Sequence, residues 1–414
     1  MHYLKLKKER QHQRFRRSNE QFHYQDISDY DDCEFVANIT IGNEETHFKV
    51  VLDTGSANLW VPEISCLKND RRRKRSLLPY PYNECPDYCI SSAITLSACI
   101  MLCPVDCCKF AKHDPSPKSK PNFDSDSTSA CVTKNKFDPY RSLTFKKIPR
   151  SFSVSYGTGD CSGYYGVDTV RMGDIGIQDR LTIPNTYFGL ATHVGDFFAT
   201  DPVDGIFGLS LQSQQGVPTP LVHAAQIGVL KPEPIFTIYL QGLGQMGYKD
   251  RAGRFTYGGL DEEHCDPVET WVALTSTRFW QFQIHEVKFG EVNVKDMWET
   301  ISDSGTSFVL GPQGVTDEIA KQIGAVFDPL LENYYFPCEK EFDGLDITIG
   351  SHKYHITRRN LMIKDHKGRC ALAICPKGAG FGPTWVLGIP FLKEYCNVHD
   401  IGKKLLGFAR VKTF

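Results

Sequence analysis

Two stretches of the chain place an aspartate at the same point of the same short pattern. Residues 50–62 read VVLDTGSANLWVP, and residues 299–312 read ETISDSGTSFVLGP. In both, apolar or hydroxyl residues lead to an aspartate, Asp53 or Asp303, and a hydroxyl residue, a glycine and a second hydroxyl residue follow. Two carboxyl groups held a hydrogen bond apart cannot both ionise, so they share one proton. Such a pair would supply a general base and a general acid in one place.

A second repeated element supports this pairing. Residues 204–210 (DGIFGLS) and 385–392 (WVLGIPFL) each place a glycine after an apolar strand, and each element follows its own aspartate motif. This order predicts two duplicated lobes packed about a pseudo-two-fold axis, with the aspartate turns meeting between them. The alternative for Asp53 alone is a turn residue that caps its own backbone. That alternative leaves the repeat unexplained, so we favour the catalytic pair.

The rest of the chain must supply the elements that hold these turns. Runs rich in Val, Ile, Phe and Tyr are punctuated by glycine, which indicates mostly β structure; examples are EFVANITIG, FKVVLDTG, SFSVSYGTG and GYYGVDTVRMG. Helical patterns are few, and the best are residues 218–230 and 312–325. A length of 414 residues predicts two or three domains. A net charge of −2 favours neither nucleic acid nor a membrane surface as partner, and we predict no membrane span.

The fifteen cysteines favour an oxidising compartment. Eight of them fall within residues 66–131, together with a proline- and serine-rich tail, so we predict a disulfide-stapled insertion over about residues 67–130. Zinc binding is the alternative, but the adjacent Cys107 and Cys108 and the neighbouring spacings fit common zinc sites poorly. The first 18 residues lack the apolar core of the signal peptide that such a compartment requires. Either the protein begins as a longer precursor, which we favour, or the prediction of an oxidising compartment is wrong.

Two kinds of modification site can be read from the sequence. Residues 1–17 are strongly basic and are interpreted as a propeptide remnant. Arg17 and Arg75 each end an R-x-[KR]-R pattern of proprotein-convertase sites, for which a charged loop or a nuclear-localisation-like patch is the alternative. Asn38 begins an Asn-Ile-Thr sequon and is a candidate for glycosylation, although it falls in a predicted strand.

The paired aspartate motifs, the two apolar-glycine elements and the sequence VSYGTGDCSG at residues 154–163 resemble the pepsin-like aspartic proteases, in particular their cathepsin D and nematode members. The resemblance covers about residues 29–411 apart from the insertion. It implies a mostly β, bilobal fold with two duplicated β-barrel-like lobes, a central cleft and a flap hairpin. The N-terminal lobe, which carries the cysteine-rich insertion, would span residues 18–235, and the C-terminal lobe residues 236–414.

By this resemblance, Asp53 and Asp303 are the catalytic pair. The hydroxyls of Thr54 and Ser304 would form hydrogen bonds across the lobe interface. Those of Ser56 and Thr306 would bond the outer carboxylate oxygens, and Gly55 and Gly305 would admit the substrate backbone.

The resemblance also implies residues that bind substrate. The flap would contribute Tyr156, Gly157 and Thr158, and Trp60 would support the flap tyrosine. An aromatic subsite wall would be formed by Phe279 and Trp280. Without the resemblance, Trp60 and Trp280 would be read as core or interface aromatics.

The chain departs from the family pattern at three positions. Ser304 replaces the commoner threonine but keeps the hydroxyl, so we expect activity to survive. Asp160 follows the flap tip where a small hydroxyl residue is more usual, and we expect it to affect side-chain preference or pH response. Ser302 stands before Asp303 in place of an apolar residue, and we expect it to loosen the second turn slightly.

Disulfide pairings are likewise implied by the resemblance. Cys66 would pair with Cys131 around the insertion, and Cys338 with Cys370 in the C-terminal lobe. A bond between Cys33 and Cys161 would join the N-terminal strand to the flap base. The other cysteines outside the insertion, of which at least one would be unpaired, are Cys265, Cys375 and Cys396.

The implied function is that of an aspartic endopeptidase, which hydrolyses polypeptides with water activated between two aspartates. It would work at acidic pH as a secreted or lysosomal monomer, without a metal or other cofactor, and would bind pepstatin-type inhibitors. One alternative is a catalytically silent, peptide-binding member of the same fold. Another is an enzyme frame whose cysteine-rich insertion binds a partner. Zincin, serine-hydrolase elbow, P-loop and dinucleotide motifs are absent from the sequence.

Overall fold

The computed structural model describes residues 22–66, 130–156, 159–199, 201–213, 215–242, 247–329, 331–365, 367–378 and 382–412. Several sequence predictions fall outside these ranges. They are the propeptide remnant at residues 1–17, the processing sites at Arg17 and Arg75, the interior of the insertion, and the flap-tip residues Gly157 and Thr158.

Strands dominate the described residues. Those of the first part of the chain are β1 (His23–Tyr30), β2 (Glu34–Ile41), β3 (Thr46–Asp53), β4 (Leu59–Pro62), β5 (Lys146–Ser155), β6 (Asp160–Met172), β7 (Thr182–Val194), β8 (Gly205–Gly208), β9 (Ile235–Leu240) and β10 (Tyr248–Tyr257). The strands that follow are β11 (Thr270–Ala273), β12 (Gln281–Phe289), β13 (Val292–Ser302), β14 (Val309–Gly311), β15 (Val326–Asp328), β16 (Asn333–Phe336), β17 (Gly344–Ile349), β18 (His352–Thr357), β19 (Met362–Lys364), β20 (Cys370–Leu372), β21 (Ile374–Pro376), β22 (Trp385–Leu387), β23 (Tyr395–Asp400) and β24 (Leu405–Arg410).

The α-helices of the described residues are short and few: α1 (Ala130–Thr133), α2 (Pro220–Gln226), α3 (Gln313–Gln322) and α4 (Ile389–Glu394). Both helical stretches predicted from the sequence contain a helix, α2 and α3. Helix α4 was not predicted, because six residues are too few to establish a 3.6-residue period. None of the helices in the described ranges is long and apolar enough to cross a membrane.

One large sheet connects the two parts of the chain. Its thirteen strands run in the order β11-β24-β23-β9-β10-β1-β2-β3-β8-β4-β7-β6-β5. Strand β1 lies in the middle and pairs antiparallel with β2 on one side and β10 on the other. A seven-stranded sheet, β18-β17-β12-β13-β22-β14-β21, and a four-stranded sheet, β15-β16-β20-β19, complete the fold. The predicted lobe boundary at residue 235 falls at the start of β9 and stays a prediction.

The internal repeat seen in the sequence is also a repeat of strand topology. Strands β3-β8-β4-β7 occur in the large sheet, and β13-β22-β14-β21 occur in the same order in the second sheet. In each set the first pair is parallel, the second antiparallel and the third parallel. The aspartate motif ends the first strand of each set, and the apolar-glycine element forms the second. The predicted duplication is therefore present in the backbone.

Alternating side chains build the core on which these strands rest. In β12, Phe282, Ile284, Val287 and Phe289 are buried, while most of the intervening residues are partly exposed. The period of two is interrupted by a bulge between Ile284 and Glu286, which returns the later apolar residues to the same face.

Three disulfide bonds join described cysteines: Cys66–Cys131, Cys265–Cys396 and Cys338–Cys370. Cys66–Cys131 joins the two ends of the insertion, and Cys338–Cys370 lies in the later part of the chain. These are the two pairings that the resemblance implied. The bond Cys265–Cys396 leaves Cys375 as a buried free thiol, which donates to Asn333 Oδ1 at 3.1 Å.

The expected bond between Cys33 and Cys161 is wrong, because both thiols are free. Cys161 is the second residue of β6, and its side chain is fully buried in a cluster with Trp60 and Phe198. Cys33 follows β1, where its carbonyl accepts a hydrogen bond from Ser307 Oγ at 2.8 Å. The two side chains thus belong to different surroundings.

Candidate active site

Each aspartate is hydrogen-bonded through its backbone to the chain segment of the parallel neighbouring strand. Asp53 ends β3, whose parallel neighbour β8 leads to Leu209, and the Leu209 N–H donates to the Asp53 carbonyl at 2.7 Å. Asp303 follows β13, and its N–H donates to the carbonyl of Leu387 in the parallel neighbour β22 at 3.0 Å. Each carboxyl group is therefore presented at the buried, paired end of a strand.

The residue after each aspartate ties its turn to the opposite turn. The Thr54 N–H donates to Ser304 Oγ at 3.0 Å, and the Ser304 N–H donates to Thr54 Oγ1 at 2.9 Å. Each hydroxyl in turn donates to a carbonyl of the other half, Thr54 Oγ1 to Ser302 at 2.8 Å and Ser304 Oγ to Leu52 at 2.5 Å. These four reciprocal bonds are buried. The hydroxyl of Ser304 makes every bond that its threonine counterpart makes.

The glycines bring the two carboxyl groups together. The Gly55 N–H donates to Asp53 Oδ1 at 2.8 Å, and the Gly305 N–H donates to Asp303 Oδ1 at 2.9 Å. A Cβ atom added at Gly55 would clash with the Asp303 carboxyl, and one added at Gly305 would clash with that of Asp53. Each glycine thus makes room for the aspartate of the other half. The role that the resemblance implied for these glycines, the admission of the substrate backbone, stays a prediction.

The outer hydroxyls are not equivalent. Thr306 Oγ1 donates to Asp303 Oδ2 at 2.7 Å. The corresponding Ser56 hydroxyl is buried and lowers the pKa of Asp53, yet no described atom makes a well-formed hydrogen bond with it. The predicted support by Thr306 is thus in place, whereas that by Ser56 is looser.

The surroundings favour a proton on the pair. Burial raises the pKa of Asp53 to about 8, and the neighbouring charge of Asp303 acts in the same direction. The Ser56 hydroxyl and the Gly55 N–H lower it, but by less. Because the two carboxyls are coupled, the proton belongs to the pair rather than to one residue.

Above the turns, β5 and β6 form a hairpin whose tip begins at Tyr156. The Tyr156 N–H donates to the Gly159 carbonyl at 2.7 Å, which closes the tip. Trp60 Nε1 donates to the Tyr156 hydroxyl at 2.9 Å, as the supporting role of Trp60 requires. Asp160 starts β6, and its carboxylate lies 3.7 Å from His193 Nε2. Its effect on side-chain preference stays a prediction.

The two residues expected at a subsite wall differ in exposure. Phe279 is partly exposed. Trp280 is fully buried: its Nε1 donates to the Leu209 carbonyl at 3.0 Å, and its ring packs edge-on against Phe236. The structure therefore places Trp280 in the core behind the Asp53 turn, where it supports the site instead of facing a ligand.

Sequence reasoning missed two contributors. Phe198 packs its ring 5.2 Å from that of Trp60 and 6.3 Å from that of Tyr156, and the GDFFAT segment that carries it gave no motif of its own. Ser302, expected to loosen the second turn, instead donates from its buried hydroxyl to Asn397 Oδ1 at 2.9 Å. The expectation for Ser302 is corrected, because β23 supplies a polar partner that no local pattern reveals.

Asn38, the glycosylation candidate, lies inside β2. Its Nδ2 donates to Asp174 Oδ1 at 2.8 Å, and its carbonyl accepts from Gln25 Nε2 at 2.7 Å. A glycan on Nδ2 would disturb the bond to Asp174. In the described parts of the chain, no group of three or more His, Cys, Asp or Glu side chains is arranged to hold a metal ion.

Comparison with known proteins decides the family. A family model described as eukaryotic aspartyl protease matches residues 34–411. The chain belongs to this family. Aspartic protease 2 of Necator americanus is 38% identical over 396 residues, which cover 94% of this chain and 86% of that protein. Aspartic protease 6 of Caenorhabditis elegans is 35% identical over 388 residues, covering 93% and 83%, respectively. Pepsin A of Gallus gallus is 26% identical over 394 residues, covering 93% and 86%.

Membership of the aspartyl protease family confirms the resemblance stated from the sequence motifs. The protein is an aspartic-type endopeptidase, and its substrates are polypeptides. Its duplicated, mostly β architecture is the bilobal pepsin-like fold.

Proposed function

We propose that Asp53 and Asp303 are the catalytic pair of this aspartic protease. The observation that carries the proposal is the reciprocal fit of the two turns, in which Gly55 and Gly305 each leave space for the opposite carboxyl group. Structural aspartates in separate turns have no need of such an arrangement. A buried pair that retains one proton has the groups that peptide hydrolysis requires.

The reaction uses the ionised carboxylate as base and the protonated carboxyl as acid. The base removes a proton from a water molecule while the water oxygen forms a bond to the scissile carbonyl carbon. The acid donates its proton to the carbonyl oxygen, which gives a neutral tetrahedral diol. The carboxyl that took the water proton then donates it to the amide nitrogen while the other carboxylate removes a proton from the diol, so the C–N bond breaks, the new carboxylic acid forms and the pair again holds one proton. No covalent enzyme intermediate is formed.

The substrate would lie in the cleft as an extended strand beneath the β5–β6 hairpin, with Tyr156 and Phe279 among its neighbours. We propose that the enzyme acts under acidic conditions, in which the pair retains its one proton. The disulfide bonds support a secreted or lysosomal protein. We further propose that it acts as a monomer and binds pepstatin-type inhibitors in the same cleft.

The test is cleavage of a fluorogenic peptide between about pH 3 and 6, with and without pepstatin. Asp53→Asn and Asp303→Asn should each reduce kcat by at least about a thousandfold, because neither leaves both an acid and a base in place. Asp343→Asn is the matched control, since Asp343 is an exposed residue outside the site. Cleavage that resists pepstatin, or that survives in either active-site variant, would contradict the assignment.

A further inference from the structure

A chain segment behind the flap hairpin begins at the aspartate turn. Residues 209–213, 215 and 216 follow β8, and the first of them bond the Asp53 loop. The Leu209 N–H donates to the Asp53 carbonyl at 2.7 Å, and Ser210 Oγ donates to the Thr54 carbonyl at 2.8 Å. The start of this segment is thus fixed to the site itself.

The other end of the segment is fixed to the flap hairpin through Gln215. The Gln215 Nε2 donates to the carbonyl of Ser153 in β5, and its Oε1 accepts from the hydroxyl of Tyr165 in β6. The Gln215 carbonyl also accepts from Arg150 Nη1 at 2.8 Å. One side chain therefore bonds both strands of the hairpin, and Ser153 lies three residues before Tyr156.

Tyr165 completes the connection. Its ring is buried and packs edge-on against Phe152 at 5.5 Å, and burial raises the pKa of its hydroxyl to about 12, so it remains a donor. Its oxygen also lies 2.9 Å from Asn58 Oδ1, which accepts from Ser213 Oγ at 3.2 Å. A tyrosine hydroxyl carries one proton and donates to one oxygen at a time. Because the Gln215 amide is oriented by Ser153, its Oε1 is always available to Tyr165.

We propose that Gln215 is a positioning residue, which couples the flap hairpin to the Asp53 turn and so sets the position of Tyr156 over the two carboxyl groups. The proposal rests on the proposed function of Asp53 and Asp303. Gln215 acts through the hairpin and touches no reacting atom. Its loss should weaken peptide binding under the flap and raise KM, while the chemistry of a bound peptide, and hence kcat, changes less.

Two substitutions separate the contributions of the amide. Gln215→Met keeps the length of the side chain but removes both donor and acceptor, and should raise KM by about tenfold, the size expected for lost hydrogen bonds. Gln215→Glu keeps an oxygen that accepts from Tyr165. It loses the group that donates to Ser153 only when the glutamate is ionised. Below a glutamate pKa of about 4.3 its O–H can donate to the Ser153 carbonyl. The ratio of its KM to that of the unaltered enzyme should be close to one at about pH 3.5. By about pH 6 this ratio should rise towards the value found for the methionine variant.

Gln212→Met is the matched control, because Gln212 is an exposed glutamine on the same segment. It should leave KM unchanged, and thermal unfolding of all three variants reports whether folding is preserved. If the methionine variant is unstable, the pH response of the glutamate variant decides. The positioning role would be overturned if Gln215→Met and the unaltered enzyme had equal KM values. It would also be overturned if the KM values of the two Gln215 variants changed with pH in parallel. Failure of pepstatin to inhibit the unaltered enzyme would instead overturn the proposed function.

Discussion

The indole Nε1 of Trp60 donates a 2.9 Å hydrogen bond to the hydroxyl of Tyr156, across the gap between the aspartate loop and the flap. Trp60 is fully buried, and the ring of Phe198 packs edge-on against it at 5.2 Å. Trp60 is therefore a hydrogen-bond donor held in a fixed position. Its bond to the hydroxyl helps to position Tyr156 at the tip of the hairpin.

Replacing the donor should loosen the tyrosine. We expect Trp60→Phe to lower kcat/KM by roughly threefold to tenfold, because one hydrogen bond is lost while most of the packing remains. Steady-state kinetics with a peptide substrate measures the effect. Trp271→Phe is the control, since Trp271 lies on the edge strand β11 and is 41% exposed. An equal loss in both variants would show that the hydrogen bond is unimportant.

The cross-turn hydroxyl of Ser304 should contribute to stability. Ser304→Ala leaves the buried Thr54 N–H without its acceptor and the Leu52 carbonyl without its donor, which should lower the free energy of unfolding by about 2 kcal/mol or more. Ser304→Thr keeps the hydroxyl and should cost less. Urea unfolding compares both with Ser351→Ala, a change at an exposed turn. An alanine variant as stable as the unaltered protein would show that the cross-turn bonds contribute little.

Stability should fall as the pH rises from acid to neutral. Asp29 is fully buried, and burial followed by the charge of Asp32 raises its pKa from 3.8 to about 7. Between these values the folded state holds a proton that the unfolded state has released, so each unit of pH costs at most about 1.4 kcal/mol. Asp29→Asn should reduce this slope, measured as Tm between about pH 4 and 8. The pKa values of Glu34 and Asp53 are raised similarly, so part of the slope remains.

Asp343→Asn, at an exposed position, serves as control for this measurement. Its Tm should follow the same pH dependence as that of the unaltered protein. An unchanged slope in Asp29→Asn would mean that Asp29 is ionised in the folded protein throughout this range.

His399 should have the opposite effect. Its imidazole is fully buried and stacks on Phe236 at 4.4 Å, and burial lowers its pKa from 6.5 to about 3. Between these values the unfolded state takes up a proton that the folded state does not, so stability is lost as the pH falls. His399→Phe should therefore gain more stability at about pH 4 than at pH 7. Thermal unfolding compares it with His352→Phe at an exposed site, and an equal change at both pH values would contradict the expectation.

The sequence motifs were sufficient to predict the duplicated architecture and the meeting of the two aspartates, because each turn is formed by consecutive residues. They were insufficient where the partner is distant in sequence. Trp280 resembles a subsite residue but is buried behind Leu209, and Ser302 finds Asn397 on a strand almost a hundred residues later.

Cysteine pairing shows the same limit. Counting residues could not decide among Cys265, Cys375 and Cys396, and the family resemblance suggested a bond between Cys33 and Cys161, whose thiols are both free. Gln215 carries no motif at all, since its importance depends on the simultaneous nearness of β5 and β6. Local chemistry is readable from sequence, whereas contacts between separate strands require the fold.

The central place of β1 limits how far the amino terminus of the chain can be shortened. Residues His23–Tyr30 pair with β10 along most of the strand, and Ser28–Tyr30 also pair with β2, so that β1 joins the first half of the chain to the second. A protease that acts on the amino terminus would meet hydrogen-bonded backbone in this strand. Trimming beyond it would open two strand edges at once and separate the halves that carry the two aspartates. The position at which β1 begins therefore sets how much chain could be removed ahead of it without breaking the sheet.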